Sequence, residues 1–261
     1  MNYHTMKPMR LRINTDIVTE FLPPRRGGSD HAIVVCDGLP SVPSKRHVLE
    51  YWSKRGFWVF HPRYKGTWES SGVFLDHDPT DDILEVVRTI KNGILIPTRK
   101  KATGLPGHLK ITHVTIIGAS FGGAAALLAS LHPEVDKVIA ISPVIDWREE
   151  LYRPREPLSD LREYIHNVFG EAYRFSDSDF NQLGVDVQFF NPIARITEYN
   201  PKKICIMHAK DDMIVSYDAV ERFLTSVACK RRLVKTGGHF SARVTTGFFV
   251  GRMLRRFIFE T

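Results

Sequence analysis

The strongest constraint on the fold of this chain is an alternation of two hydrophobic patterns that begins at about residue 31. Short apolar runs rich in β-branched residues, bounded by Gly, Pro, Asp or charged residues, are separated by longer segments with helical spacing. Such alternation is typical of βαβ units, in which helices cover both faces of a mainly parallel, twisted sheet. We therefore predict an α/β fold with core strands at residues 32–36, 57–60, 112–117, 137–141, 203–207 and 231–235.

The segments between these strands show apolar residues on one helical face and charged residues on the other. They predict helices at residues 45–54, 81–90, 121–131, 217–227 and 246–259. A hairpin at residues 11–22 is predicted to precede the parallel strands. The last helix carries arginines that we interpret as a solvated outer face: Arg252, Arg255 and Arg256.

One long segment, residues 148–201, breaks the alternation. It is polar, contains prolines and has short helical stretches at residues 161–169 and 179–183, but no convincing strand. A structureless loop of this length is uncommon in a compact domain. We interpret it as a helical cap or lid inserted into a core of residues 1–147 and 202–261; the alternative is a decorative excursion. Its aromatic residues are candidates for lining a pocket: Tyr152, Tyr164, Phe169, Phe189 and Phe190.

Composition limits the compartment and the partners of the protein. The chain of 261 residues is 43% apolar and 25% charged, as in globular proteins. No run approaches the roughly 20 apolar residues of a membrane span, and the first dozen residues lack a signal-peptide core, so we expect a cytoplasmic protein. The net charge of +7 is scattered, and its densest group, residues 99–101, indicates a solvated loop rather than a nucleic-acid site.

Three cysteines, Cys36, Cys205 and Cys229, are an odd number without metal-ligand spacing. Each lies in or beside an apolar run, which favours a buried free thiol over a disulfide. The sequence therefore predicts no metal and no other cofactor.

The sequence Gly118-Ala119-Ser120-Phe121-Gly122-Gly123 carries the strongest chemical signal. It follows an apolar run and precedes a helix of small residues, so it forms a strand, a tight turn and a helix. A nucleophile in such a turn has a strained backbone, and flanking glycines let helix and strand approach closely enough to tolerate it. A G-x-S-x-G match alone is weak, but this context predicts Ser120 as a nucleophile at a helix N-terminus.

A serine hydroxyl needs a base within hydrogen-bond reach. Among eleven histidines, His239 lies late in the chain, after the last predicted strand and beside Gly237 and Gly238. We predict His239 as the base. An acid that orients it is expected just after the strand at residues 203–207, where Asp211 and Asp212 are both candidates.

These segments together resemble the α/β-hydrolase superfamily, and within it the free-standing relatives of the prolyl oligopeptidase catalytic domain. The chain order serine, aspartate, histidine is that of this fold. The resemblance spans about residues 31 to 240 apart from the cap. It lies in the serine turn and in the segments at residues 36–40 (CDGLP), 62–72 (PRYKGTWESSG), 142–147 (SPVIDW), 208–216 and 236–240.

The resemblance also implies roles for individual residues. The acid of similar proteins falls four residues after a strand-end histidine, which here selects Asp212 and makes Asp211 a solvated neighbour. An oxyanion hole is implied at the backbone N–H groups of Phe121 and Leu39. Where relatives often carry His-Gly or a donating Tyr, this chain has Asp37, which we interpret as a turn-forming residue whose carboxylate points away.

The resemblance implies a serine hydrolase that cleaves a carboxylic ester of a small acyl substrate through an acyl-enzyme on Ser120. A small peptidase or amidase, a thioesterase and an acyltransferase use the same triad. Peptide-cleaving relatives generally add a large gating domain, for which 261 residues leave no room. A non-enzymatic binding protein would be expected to lack a triad residue or a glycine of the turn, and this sequence retains them all. The sequence makes no prediction of oligomeric state.

Overall fold

Ten strands and eight α-helices are formed in the part of the chain that the computed structural model describes, residues 7–25, 29–95, 108–151 and 158–260. The strands are β1 (Met9–Ile13), β2 (Ile17–Leu22), β3 (His31–Cys36), β4 (Trp58–Pro62), β5 (Ile94–Leu95), β6 (His108–Leu109), β7 (His113–Ala119), β8 (Lys137–Ile141), β9 (Ile204–Ala209) and β10 (Lys230–Val234). The helices are α1 (Arg46–Ser53), α2 (Pro79–Asn92), α3 (Phe121–Ala129), α4 (Trp147–Leu151), α5 (Leu158–Phe169), α6 (Asp177–Val185), α7 (Tyr217–Ser226) and α8 (Phe248–Phe259).

Eight of these strands form one sheet in the order β1-β2-β4-β3-β7-β8-β9-β10. The six strands from β4 to β10 in this order pair in parallel, and the β1–β2 hairpin is antiparallel at one edge. The predicted α/β fold with a mainly parallel sheet is therefore confirmed. Because the carboxyl ends of parallel strands meet at one edge, the loops after β3, β7, β8, β9 and β10 all open on the same side.

Helices cover both faces of the sheet, and β3 shows why its sequence is apolar throughout. Ala32 and Val34 belong to a core covered by α2, α3 and α7, whereas Ile33 and Val35 belong to a second core covered by α1 and α8. All four side chains are fully buried. A strand buried on both faces has no position for a solvated polar residue.

The segment between β8 and β9 adds no described strand to the sheet. It contains α4, α5 and α6, and its apolar residues Ile165, Phe180 and Phe190 are buried against the core. Tyr152, one of the predicted pocket aromatics, lies outside the described residues, as does the basic group at residues 99–101.

The three cysteines are buried free thiols.

The longest described helix, α2, has 14 residues, and no helix in the described ranges has the length and apolar character needed to cross a bilayer. Within the same ranges, no group of three or more His, Cys, Asp or Glu side chains is arranged to hold a metal ion.

Candidate active site

Ser120 lies at the sharp turn between β7, a central strand, and α3. Its backbone angles, φ 57° and ψ −119°, belong to the left-handed side of conformational space, which costs a non-glycine residue about 1–3 kcal/mol. Backbone hydrogen bonds fix the turn: the Ser120 N–H donates to the carbonyl of Ile141 in β8 at 2.8 Å, and the Ser120 carbonyl accepts from the N–H of Gly123 at 2.9 Å.

Two glycines of the turn permit a contact that any side chain would block. A Cβ on Gly118 would lie 1.8 Å from the carbonyl oxygen of Gly122, and a Cβ on Gly122 would lie 2.5 Å from the carbonyl oxygens of Cys36 and Asp37. Helix α3 therefore begins directly against the backbone of β3 and β7. This is the close approach that the glycine spacing predicts.

His239 lies in the loop after β10, and its Nδ1 is 2.9 Å from Oδ2 and 3.1 Å from Oδ1 of Asp212. The buried Asp212 carboxylate also accepts the backbone N–H groups of Ile214 and Val215, at 2.9 and 3.0 Å. Burial alone would raise the pKa of Asp212, but the hydrogen bonds from His239, Val215 and Ile214 and the charge of His239 lower it to about 2.

This low pKa sets both the tautomer of the histidine and a linkage to stability. An ionised carboxylate only accepts hydrogen bonds, so the Nδ1–H of His239 donates to Asp212 and Nε2 is left to accept a proton. Because the folded-state pKa lies below the unfolded value of about 3.9, the carboxylate of Asp212 stabilises the fold above about pH 4. That contribution is lost as the pH falls through about 2.

Asp211 is not merely a solvated neighbour, as the resemblance implied. Its carboxylate accepts the backbone N–H groups of Gly237 and Gly238, at 3.1 and 2.9 Å, and these bonds lower its pKa. On the other side of His239, the N–H of Phe240 donates to the Oγ of buried Ser142 at 3.2 Å. Asp211 and Ser142 thus hold the backbone on both sides of His239, and we call these two residues the His239 clamp.

Ser120 and His239 face the same cavity, which has a volume of about 610 Å³. The hydrogen bonds of the His239 ring within the described chain go to Asp212, and none joins its Nε2 to Ser120 Oγ. Catalytic hydrogen bonds are often long before substrate binds and tighten in the Michaelis complex. The arrangement brings all three predicted triad residues to one edge of the sheet.

The cavity is lined by the loops at this edge and by α5. Leu161 and Tyr164 of α5 line it, so Tyr164 is one predicted pocket aromatic that does so. Phe190 instead packs within the core, with its ring centroid 4.5 Å from that of Phe121. Phe169 and Phe189 pack as partly buried residues against the same core and do not line the cavity.

No protein-family model matches the sequence, and no curated protein is similar enough to match it. Solved structures do match. The esterase Pf2001 of Pyrococcus furiosus is 17% identical with a TM-score of 0.65, over 96% of this chain and 90% of the esterase. The esterase Est2 of Thermogutta terrifontis is 16% identical with a TM-score of 0.63, over 98% and 95%. The chain has the α/β-hydrolase fold.

An α/β-hydrolase that belongs to the prolyl oligopeptidase family is among the similar structures as well. The acylaminoacyl peptidase of Pyrococcus horikoshii is 15% identical with a TM-score of 0.63, over 95% of this chain and 40% of the peptidase. At these identities the likeness establishes the fold, and the chemistry must be argued from this chain's own residues.

The two predicted oxyanion donors, Phe121 and Leu39, both line the cavity. Neither backbone N–H donates to another group of the described chain. The loop that contains Leu39 is held in place at Ser41. The N–H of Ser41 donates to Tyr173 Oη at 2.8 Å. The carbonyl of Ser41 accepts from Tyr173 Oη at 3.1 Å and from Trp68 Nε1 at 3.0 Å. Tyr173 lies 132 positions from Ser41, and no local sequence pattern connects the two residues.

The interpretation of Asp37 as a turn-forming residue is wrong. Its carboxylate accepts a 2.8 Å hydrogen bond from Nε2 of the fully buried His61, and Lys45 Nζ lies 2.8 Å from its other oxygen. Burial alone would raise the pKa of Asp37, but His61 and Lys45 lower it to about 2. The negative charge is therefore balanced by two side chains and also ties the start of the Leu39 loop to β4 and to the residue before α1.

Proposed function

We propose that this protein is a serine hydrolase that cleaves carboxylic esters, with Ser120 as nucleophile, His239 as general base and Asp212 as the acid that orients the base. The observation that carries the proposal is that Ser120, in a strained turn, and His239, whose ring is hydrogen-bonded to Asp212, line one cavity. Similar structures that are named as esterases support the same reaction class.

The reaction begins when His239 Nε2 takes the hydroxyl proton of Ser120 while Oγ attacks the carbonyl carbon of the ester. The tetrahedral intermediate carries a negative oxygen, which the N–H groups of Phe121 and Leu39 stabilise together with the N-terminus of α3. The intermediate collapses to an acyl-Ser120 ester, and the leaving alkoxide receives the proton from His239. Water, deprotonated by His239, then releases the carboxylic acid and restores Ser120.

Residues 148–201 are proposed to act as a cap that selects the substrate. Leu161 and Tyr164 project from α5 into the lining of the cavity, whereas Val168 of the same helix is 58% exposed and does not line it. Replacement of Leu161 by alanine should change the ranking among acyl chain lengths. The matched change Val168→Ala should leave the ranking as it is, and an unchanged ranking in both variants would remove the proposed role of the cap.

A second candidate, cleavage of an amide, is favoured by the similarity to the acylaminoacyl peptidase. Esters and amides use the same three residues, but an amine leaving group must be protonated as it departs, which makes amides the harder substrates. Matched p-nitrophenyl esters and p-nitroanilides with the same acyl groups separate the two activities. We expect kcat/KM to be higher for the esters, and an equal or higher value for the anilides would make the protein an amidase.

The proposed function is tested by Ser120→Ala. The variant should fold, because the Ser120 side chain is at the cavity surface rather than within the core, and should lose ester hydrolysis. Ser241→Ala removes another hydroxyl from the same cavity and should keep most of the activity. Wild-type activity in Ser120→Ala would refute the proposal.

A further inference from the structure

Helix α8 presents an outward face of unusual composition. Phe248, Phe249, Arg252, Arg255 and Arg256 are exposed, and at about 100° per residue they fall within one arc of roughly 120°. We call these five residues the Arg/Phe face. The sequence pattern indicated only a solvated surface for these arginines.

The apolar part of this face is a pair of adjacent aromatic rings at the start of the helix. Phe248 is 72% exposed and Phe249 is 80% exposed. Their rings pack against each other edge to face, with centroids 5.3 Å apart. Large adjacent apolar side chains exposed on a protein surface mark an interaction site.

The charged part has no acidic partner among the residues that the structure describes. Within the described chain, none of the arginines at positions 252, 255 and 256 forms an ion pair, and neither does Arg243 in the turn before the helix. The carboxylate nearest to this helix in sequence, Glu260, pairs with Lys230. As far as the described residues go, the face therefore carries positive charge without an acidic partner, next to exposed aromatic rings.

Packing on the opposite side of α8 fixes this orientation. Leu254 and Phe257 are buried in the core, and a Cβ on Gly251 would lie 1.7 Å from Tyr51 Oη. The helix cannot rotate to bury Phe248 and Phe249 without breaking these contacts. The two rings are thus held outward by the fold itself.

We propose that the Arg/Phe face binds the surface of a bilayer that contains anionic lipids. Rings of this kind insert at the boundary between headgroups and acyl chains, and arginines beside them pair with lipid phosphates and carboxylates. A second copy of the chain fits less well, because a symmetric contact would set the same arginines against each other. Single-stranded nucleic acid is recognised by stacking of successive bases on separate aromatic rings, whereas here two rings pack on each other.

Binding of the full chain to phosphatidylcholine vesicles with and without phosphatidylserine tests the proposal by co-sedimentation. The wild type should bind the phosphatidylserine vesicles more tightly. At about fivefold per arginine, Arg252→Gln/Arg256→Gln should weaken binding by about 25-fold. The control Arg231→Gln/Arg232→Gln removes the same charge from exposed positions of β10 and should change binding by less than about threefold.

The aromatic contribution is tested by Phe248→Ser/Phe249→Ser against Val185→Ser, a change at another strongly exposed apolar residue. The first variant should lose at least about tenfold in vesicle affinity and the second should lose nothing. All variants should keep the wild-type circular dichroism, and the variants of α8 and β10 should keep the wild-type hydrolysis of a soluble short ester, so a failure of membrane binding is distinct from a failure of the proposed enzyme activity.

Several results would overturn the membrane proposal. Equal affinity of the wild type for vesicles with and without phosphatidylserine would reject recognition of anionic lipid. An equal loss of vesicle affinity in Arg252→Gln/Arg256→Gln and in the control Arg231→Gln/Arg232→Gln would reject a specific role of this face. A wild-type dimer that Phe248→Ser/Phe249→Ser converts to a monomer would assign the face to a second copy of the chain. Stronger binding to a single-stranded oligonucleotide, lost in Arg252→Gln/Arg256→Gln, would assign it to nucleic acid.

Discussion

The turn that carries Ser120 and the loop that carries His239 differ in what fixes them. The Ser120 turn is fixed by backbone atoms, since Gly118 and Gly122 bring β7, α3 and β3 into direct contact. The His239 loop is fixed by side chains, namely Asp212 on the ring and the His239 clamp, Asp211 and Ser142, on the flanking backbone. Substitutions of the two glycines in the first region should therefore affect folding, and substitutions in the second region should affect the rate of the reaction.

The largest expected effect is that of Gly118→Ala. The new methyl group would lie 1.8 Å from a backbone oxygen that no rotamer change can move. We expect a free energy of unfolding lower by more than about 3 kcal/mol, or no folded protein, measured by urea denaturation. Gly170→Ala is the control, because Gly170 has φ 47° but no atom within 4 Å of the added Cβ, and it should cost only about 1 kcal/mol.

Asp212→Asn should have the next largest effect, and that effect should fall mainly on catalysis. An asparagine amide no longer holds His239 in the tautomer that leaves Nε2 free, so kcat should fall by about 10⁴, as measured for a triad aspartate elsewhere. Steady-state hydrolysis of a soluble ester, with circular dichroism as the folding control, measures the loss. A loss of less than about tenfold would assign the orienting role to another residue.

Asp37→Asn tests the oxyanion hole, whose two predicted donors are held in different ways. Phe121 belongs to the Ser120 turn, whereas Leu39 belongs to a loop that is held by side chains. Loss of an entire oxyanion donor costs about 10²–10³ in kcat. Asp37→Asn weakens the ion pair with Lys45 and the hydrogen bond to His61, so it should lower kcat by a smaller factor, about tenfold, with little change in KM. An unchanged kcat would mean that the Leu39 donor does not depend on this network.

The smallest effects are expected from the His239 clamp. Asp211→Ala and Ser142→Ala each free one side of the loop and should lower kcat by about three- to tenfold, because each removes weak hydrogen bonds to the loop backbone. Asp211→Asn retains one acceptor oxygen and should lose less than Asp211→Ala. If the double variant loses no more than either single variant, the two residues do not hold the loop independently.

The sequence predicts the features that depend on local patterns. The strand at residues 137–141 agrees with β8, and the Ser120 turn has the predicted strand, turn and helix. The strand predicted to end at residue 207 instead continues through Ala209, because the buried His208 pairs with Leu233 of β10. A polar residue such as His208 ends an apolar pattern in the sequence, but its pairing with the neighbouring strand keeps it within β9.

The contacts that the sequence does not predict join residues far apart in the chain. Ser142 contacts Phe240, which lies 98 positions away, and Asp37 contacts His61, which lies 24 positions away. Nothing in the sequence around Ser142 or Asp37 distinguishes them from turn residues. Their partners are determined by the order of strands in the sheet, so their roles follow only from the fold.

The central claim, that Ser120 is the activated nucleophile, is tested most directly by a fluorophosphonate probe followed by peptide mapping with mass spectrometry. The probe phosphonylates a serine only where a base removes the hydroxyl proton and donors stabilise the developing charge. We predict one adduct per chain on the peptide that contains Ser120, none in Ser120→Ala and much slower labelling in His239→Ala. Labelling of another serine, or equal labelling of Ser120→Ala, would contradict the account.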